Sequence, residues 1–165
     1  MHRIEAGVAD TSGWVAAVST DGDFSVTLPC LFNDFTTLVQ DASAPVTKTD
    51  TLGCRRPNQQ QFSATRISYK KDRAAEYFRN IAVGAGLDGV VDVERLTFDG
   101  YAAVDISARN SSQCAFFRYV LVDDDVFALS VESPLAACDG LAVLSARLFS
   151  SLSIGASQKA AVPRQ

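Results

Sequence analysis

Four cysteines, one histidine and a few charged clusters are the residues of this 165-residue chain whose types and spacing bear on chemistry. Cys30 and Cys54 stand at the same interval as Cys114 and Cys138, no two cysteines form a CxxC pair, and the single histidine is His2. This pattern argues against a zinc site or a thioredoxin-type redox pair and for a disulfide framework formed in an oxidising, extracytoplasmic compartment, secreted or periplasmic. Four cysteines allow three pairings. The sequential pairing, Cys30 with Cys54 and Cys114 with Cys138, is favoured. Each bridge then closes a loop of about 25 residues, which stabilises by about 3.5 kcal/mol in the chain-entropy model. The alternative is four reduced core thiols in a cytosolic protein; under neither reading is a cysteine a nucleophile.

The remaining candidates are weaker. His2 stands so near the terminus that a Ser-His-Asp or Cys-His mechanism would lack a positioned base. Asp123-Asp124-Asp125 has carboxylates for a hard cation but not the spaced ligands and glycine of a calcium loop, so it reads as a solvated turn. Asp92 and Glu94 share a strand face, which suits acid/base work and, more commonly, a wet surface. Gly84-x-Gly86-x-x-Gly89 follows a helix and precedes a strand, the reverse of the dinucleotide-binding order, and reads as a helix terminator. Asn110-Ser111-Ser112 reads as a turn rather than a glycosylation acceptor. The least ordinary surface is the loop Arg55-Arg56-Pro57-Asn58-Gln59-Gln60-Gln61, where two guanidinium groups stand among several amides. Arg55, Arg56, Asn58 and Gln59 are therefore the candidate partner-binding residues, against the alternative of a plain hairpin tip. No catalytic residue, cofactor or metal is expected.

Composition bounds these readings. With 47% hydrophobic and 21% charged residues the chain is neither disordered nor membrane-embedded, and no apolar run approaches the ~20 residues of a spanning helix. Fifteen basic residues against 19 acidic ones give a net charge of −4, which disfavours nucleic acid as a partner. Met1 to Gly7 has no apolar h-region, so an extracytoplasmic location implies a mature or trimmed form.

The elements that must position these groups follow from hydrophobic period. Trp14 to Ser19, a Thr20-Asp21-Gly22-Asp23 turn and the alternating Phe24 to Leu28 make a hairpin ended by Pro29. Cys30 to Pro45 has no sustained period and is expected to be a connection, with at most a short extended piece at Thr36 to Val39. Val46 to Leu52 and Gln61 to Lys70 form a second hairpin. Asp72 is predicted to cap a helix over Arg73 to Ala85, with Ala74, Phe78, Ile81, Ala82 and Ala85 in one apolar stripe and Gly84 and Gly86 as the stop. A four-strand meander follows: Val90 to Phe98, Tyr101 to Arg109, Gln113 to Val122 and Val126 to Ser133. Its third strand, apolar on both sides, belongs inside the sheet. Pro134 opens a last helical region carrying Leu141, Leu144, Leu148 and Leu152. The expected organisation is a flexible segment over 1–13, one α+β domain over 14–154 and a disordered tail over 155–165.

Trp14 before Asp21-Gly22-Asp23-Phe24-Ser25-Val26-Thr27-Leu28-Pro29, the Asp72 to Leu87 helix, Phe98-Asp99-Gly100-Tyr101-Ala102 and the closing Arg147-Leu148-Phe149-Ser150-Ser151-Leu152 together resemble the PsbP-like (Mog-type) family over about Trp14 to Ile154. The resemblance implies an α/β/α sandwich with a central antiparallel sheet, in a family of mostly non-enzymatic adaptors and accessory proteins. It transfers no functional residue. The cysteines are not part of the family pattern and the acidic charge suits neither a Ran-binding nor a photosystem member, which leaves a small bacterial envelope member as the nearest reading. The expected function is thus a secreted or periplasmic accessory or adaptor in contact with another envelope protein. The alternative is a small-molecule or lipid carrier with an apolar cleft between sheet and helix, walled by Phe116, Phe117, Tyr119 and Phe127.

Overall fold

Strand alternation generates most of the structure, a computed structural model that describes residues 2–5, 10–83 and 88–155. The chain runs β1 (His2–Glu5), β2 (Val15–Val18), β3 (Phe24–Leu28), β4 (Phe32–Leu38), β5 (Val46–Arg55), β6 (Gln61–Tyr69), α1 (Ala74–Ile81), β7 (Val90–Phe98), β8 (Tyr101–Arg109), β9 (Gln113–Val122) and β10 (Asp125–Pro134). A short 3-10 turn (Leu135–Ala137), α2 (Leu141–Ser150) and β11 (Ser153–Ile154) complete it. Among the described residues the strands form two antiparallel sheets, one of eight strands in the order β1-β4-β5-β6-β10-β9-β8-β7 and one of three in the order β11-β3-β2. The meander β7 to β10 lies where the period-two pattern puts it. The β7–β8 turn is Asp99-Gly100, with φ of 49° and 84°, the two positive angles a tight hairpin turn of matching twist requires. No helix among the described residues is long and apolar enough to cross a membrane.

One face of the large sheet is closed. Phe24, Val26 and Leu28 from β3 and Leu141, Leu148 and Phe149 from α2 pack with Leu52, Phe62, Phe127, Leu129 and Val131 of the large sheet. Each such side chain contributes about 1.5–3 kcal/mol by leaving water. Both sequential disulfides are formed, and both cross this interface. Cys30, just after β3, is bridged to Cys54 on β5, and Cys114 on β9 to Cys138 just before α2, with Cα atoms 5.9 and 6.2 Å apart.

The tip of the β2–β3 hairpin is also plugged into the large sheet. Gly22 N–H donates to Ser19 Oγ at 2.9 Å, and Gly22 carbonyl accepts from Arg66 Nη1 at 2.7 Å. Arg66 simultaneously donates to Asp125 Oδ2 from Nε and Nη2 at 3.0 and 2.7 Å. Beneath the tip, fully buried Asp50 accepts from Thr36 Oγ1 at 2.6 Å and pairs with Lys48 Nζ at 3.1 Å. Asp34 accepts from the N–H and hydroxyl of Thr20 at 3.1 and 2.6 Å. Gly22 must be glycine, because a Cβ there would stand 2.7 Å from Asp50 Cβ, the Phe24 ring and Ser19 Oγ.

Among the described residues the opposite face is covered at one corner. There α1 lays Ala74, Ile81, Ala82 and Phe78 against Tyr69, Val104, Ile106, Tyr119 and Val126. Burial beneath it pushes the Tyr119 hydroxyl up to about 12 and raises Tyr69 as well, with Tyr77 adding to both.

Several expectations are corrected here. The central antiparallel sheet stands, but it lies not between two helical layers: the closed face carries a small sheet with α2, and the other face one short helix. Residues 30–45 are not a plain connection, since β4 pairs with β5 from Asn33 to Leu38. Its apolar residues Phe32, Phe35 and Leu38 fall at spacing that hides the strand, and its polar Asp34 is buried rather than exposed. Within the 1–13 segment expected to be flexible, His2–Glu5 pair with β4, and Asp10 to Trp14 are held by the Asp10 carboxylate. Asp72 does not cap α1. It has φ 65° and donates its N–H to Asp124 Oδ1, while Arg73 occupies the cap position without a side-chain bond. The helix ends at Ile81; Gly84, Ala85 and Gly86 lie outside the described residues, as does the tail beyond Gly155.

Gly22→Ala should destabilise the fold by about 1–3 kcal/mol, the usual result of overpacking, read as a lowered urea midpoint at constant slope. A second prediction concerns Asp10, whose carboxyl is held below its ordinary value first by the Ser12 hydroxyl, then by the Trp14 and Ser12 amides and Arg147. A depressed carboxylate contributes stability that is present above its unfolded pKa and lost as pH falls through the folded one. The gap in urea midpoint between the wild type and Asp10→Asn should therefore be widest near neutral pH, begin to close near the ordinary carboxylate value of ~3.9 and vanish only below the depressed folded value.

Candidate functional site on the open sheet face

Strand pairing assembles, away from α1, a grid of polar side chains that no single segment contains. Arg55 on β5, Gln61 on β6 and Glu132 on β10 are cross-strand partners in one row. The next row reads Asn33, Gly53, Ser63, Ser130, and the one after it Phe35, Thr51, Thr65, Ala128. Neighbouring strands lie about 4.8 Å apart and successive rows about 6.8 Å apart. Hydroxyls bond across the strands, Ser63 to Ser130 at 2.7 Å and Thr51 to Thr65 at 3.0 Å. Because Gly53 has no side chain, the grid is hollow at its centre: a cavity of about 410 Å³ opens over it, bordered by Asn33, Arg55, Gln61, Ser130 and Glu132. A second hollow of about 180 Å³ over Ala108 and Ala115 shares the Glu132 wall.

The predicted partner-binding loop borders this cavity, and its four candidate residues separate into two pairs. Arg55 is exposed and lines the cavity, and Gln59 is exposed at the tip with φ 71°. Arg56 and Asn58 instead shape the turn, Arg56 through its Nη1 to Gln60 Oε1 at 3.2 Å and Asn58 by accepting from the Gln60 N–H at 3.1 Å. Gln60 is the pin. Only 4% exposed, it donates from Nε2 to the carbonyl of Ala137 at 2.9 Å, anchoring the loop to the segment that carries the second disulfide.

The four aromatics expected to wall a carrier cleft are not brought together. Phe116 and Phe127 pack into the closed-face core, while Phe117 and Tyr119 lie on the opposite face against α1, so the four aromatics cannot wall one cleft. Asp92 and Glu94 share a face and border a hollow of about 240 Å³ beside α2. The third carboxylate there, Asp105, is held by Arg118 through two bonds of 2.6 and 2.7 Å. In the triple-aspartate turn, Asp125 is paired with Arg66, and Asp124 accepts from the Tyr69 and Asp72 amides through its carbonyl and carboxylate. Sequence reasoning missed Asn33, Gly53, Ser63, Ser130 and Glu132. The signal available for them was Gly53 itself, a glycine inside an otherwise regular strand.

No protein-family model matches the sequence, and no curated protein matches it. Among solved structures, the solution structure of cyanobacterial PsbP (CyanoP) from Synechocystis sp. PCC 6803 superposes with a TM-score of 0.55 at 12% identity, over 91% of this chain and 97% of that one. A protein of unknown function from Pseudomonas aeruginosa matches with a TM-score of 0.40 at 13% identity, over 92% of this chain and 98% of that one. The chain has the PsbP-like fold; at such identity the likeness is one of fold.

Removing the pin should loosen the loop. Gln60→Ala is expected to cost about 0.5–1.5 kcal/mol for the lost hydrogen bond, and to expose residues 56–59 to limited proteolysis that the wild type resists.

Proposed function

We propose that this chain is a non-enzymatic accessory or adaptor protein of an oxidising, extracytoplasmic compartment, secreted or periplasmic, and that it works through contact with another envelope protein. Two disulfides across the main core interface fit such a compartment, since a reducing cytosol would keep them open. The fold is one that hosts accessory proteins in the family the sequence resembles, an argument by analogy.

The observation that carries the reading is the asymmetry of the large sheet. One face is packed, plugged and doubly bridged, so opening it for a ligand would break the core. The other offers a wide polar surface with a rigid loop at its border, and pre-organisation of that kind lowers the ordering cost of binding. Arg55 and Gln59 are the loop side chains available to a partner, with Arg55 suited to a carboxylate. The carrier reading has no observation of its own, because its aromatic walls lie on opposite faces.

A photo-crosslinking residue at Gln59 should capture a defined protein from the native cells, and Arg55→Ala should weaken that capture severalfold. The same reagent at Val143, which is 74% exposed on α2, serves as the control. Equal labelling from both positions, or no protein captured at Gln59, would sink the proposal.

A further inference from the structure

Gly53 is the residue the fold does not explain. It sits inside the ten-residue strand β5, between β4 and β6, where a glycine costs about 0.5–1 kcal/mol relative to alanine. A Cβ there would meet the Phe62 carbonyl oxygen at 3.4 Å and Ser63 Cβ at 3.7 Å, ordinary contacts, and its φ lies outside the left-handed region. Gly22, by contrast, is demanded by three clashes. A strand glycine that neither backbone nor packing requires often marks a place where a ligand or another backbone comes close.

The lining states what kind of ligand that is. Arg55 supplies donors only, Glu132 acceptors only, and Asn33, Gln61, Ser63 and Ser130 supply both. One positive and one negative side chain border the cavity, and neither is ion-paired among the described residues. One charge of each sign gives the lining no net preference for an anion or a cation, while an apolar ligand would strip water from all these groups without replacing its bonds. A neutral ligand with many hydroxyls satisfies them, since amide, carboxylate and guanidinium groups each bind neighbouring hydroxyls two at a time. The smaller hollow also has a half-buried ring at its border, Phe117, for the apolar face of a sugar. Two hollows joined at Glu132 fit a ligand of repeating units.

We propose that the open sheet face binds a neutral oligosaccharide, with one sugar ring seated over the bare backbone of Gly53 and the next reaching past Glu132 toward Ala115. This goes beyond the protein-contact reading: it assigns the cavity floor around Gly53, whereas that reading rests on the loop tip at Gln59, and Arg55 is shared by both.

The test is titration of the disulfide-bonded protein with three neutral tetrasaccharides, of β1→4 N-acetylglucosamine, β1→4 glucose and α1→4 glucose, followed by amide chemical shifts. At least one should bind, with shifts centred on residues 53, 61, 63 and 130. Gly53→Thr should weaken binding by at least about tenfold while leaving the melting temperature unchanged or higher. Should that variant fail to fold, Gln61→Ala, at an exposed position, should give a similar loss with the fold intact. No binding by any of the three sugars, undiminished binding by both variants, or shifts centred elsewhere would each overturn the proposal. Crosslinking from Gln59 in Gly53→Thr separates the two ideas: retained protein capture with lost sugar binding supports both, and retained capture by a wild type that binds no sugar removes this one alone.

Discussion

The guanidinium of Arg66 joins three parts of the chain that share no local sequence: the carbonyl of Gly22 at the hairpin tip, the carboxylate of Asp125 where β10 begins, and the face of the Phe127 ring 6.0 Å away. It stands in the middle of the large sheet, next to buried Asp50. An isolated charge there would be costly, and one bonded from all three of its nitrogens fixes position. Once the hairpin tip is seated, the two disulfides hold the far end of β3 and the approach to α2. The covering layer is thus tied to the sheet at separate points by bonds that do not depend on one another.

Two further arginines repeat the arrangement at the margins of that layer. Arg118 is bidentate to Asp105 and lies 5.2 Å from the Phe149 ring and 5.6 Å from Phe98, and Arg147 reaches Asp10 at 2.7 Å while lying 4.4 Å over Trp14. A guanidinium is suited to this position because it is planar, weakly hydrated and able to stack while its edge bonds a carboxylate. The half-exposed pair with Asp10 adds little stability as an ion pair. Its contribution is to close the seam between the apolar core and water. Packing, bridges and these arginines together make one face of the sheet a structural interior.

That closure leaves the other face as the wide polar surface of the sheet. Its hydroxyls bond one another across the strands, and the glycine at its centre leaves the backbone bare. A fold shared with PsbP-like proteins constrains none of this, since the same sheet can present quite different surfaces. The polar grid and the loop beside it are particular to this chain's side chains, and so are the readings built on them.

Periodicity and turn chemistry determined much of the architecture from sequence alone. The meander β7 to β10, the β2–β3 hairpin and the apolar stripes of α1 and α2 rest on interactions between residues a few positions apart, which a linear pattern records, although α2 starts at Leu141 and not at Pro134, which ends β10. The cysteine spacing favoured the pairing that forms. What tertiary structure decided is which face is covered. The alternation of β9 and β10 shows which residues share a side, but not that Phe116 and Phe127 meet the core while Phe117 and Tyr119 meet α1. Likewise Asn33, Gly53, Ser63, Ser130 and Glu132 become neighbours only through β4, β5, β6 and β10, whose pairing spans about a hundred residues of chain. Strand pairing is non-local, and register is chosen by the energy of the whole sheet. A single sequence therefore reveals the rows' members and conceals their meeting.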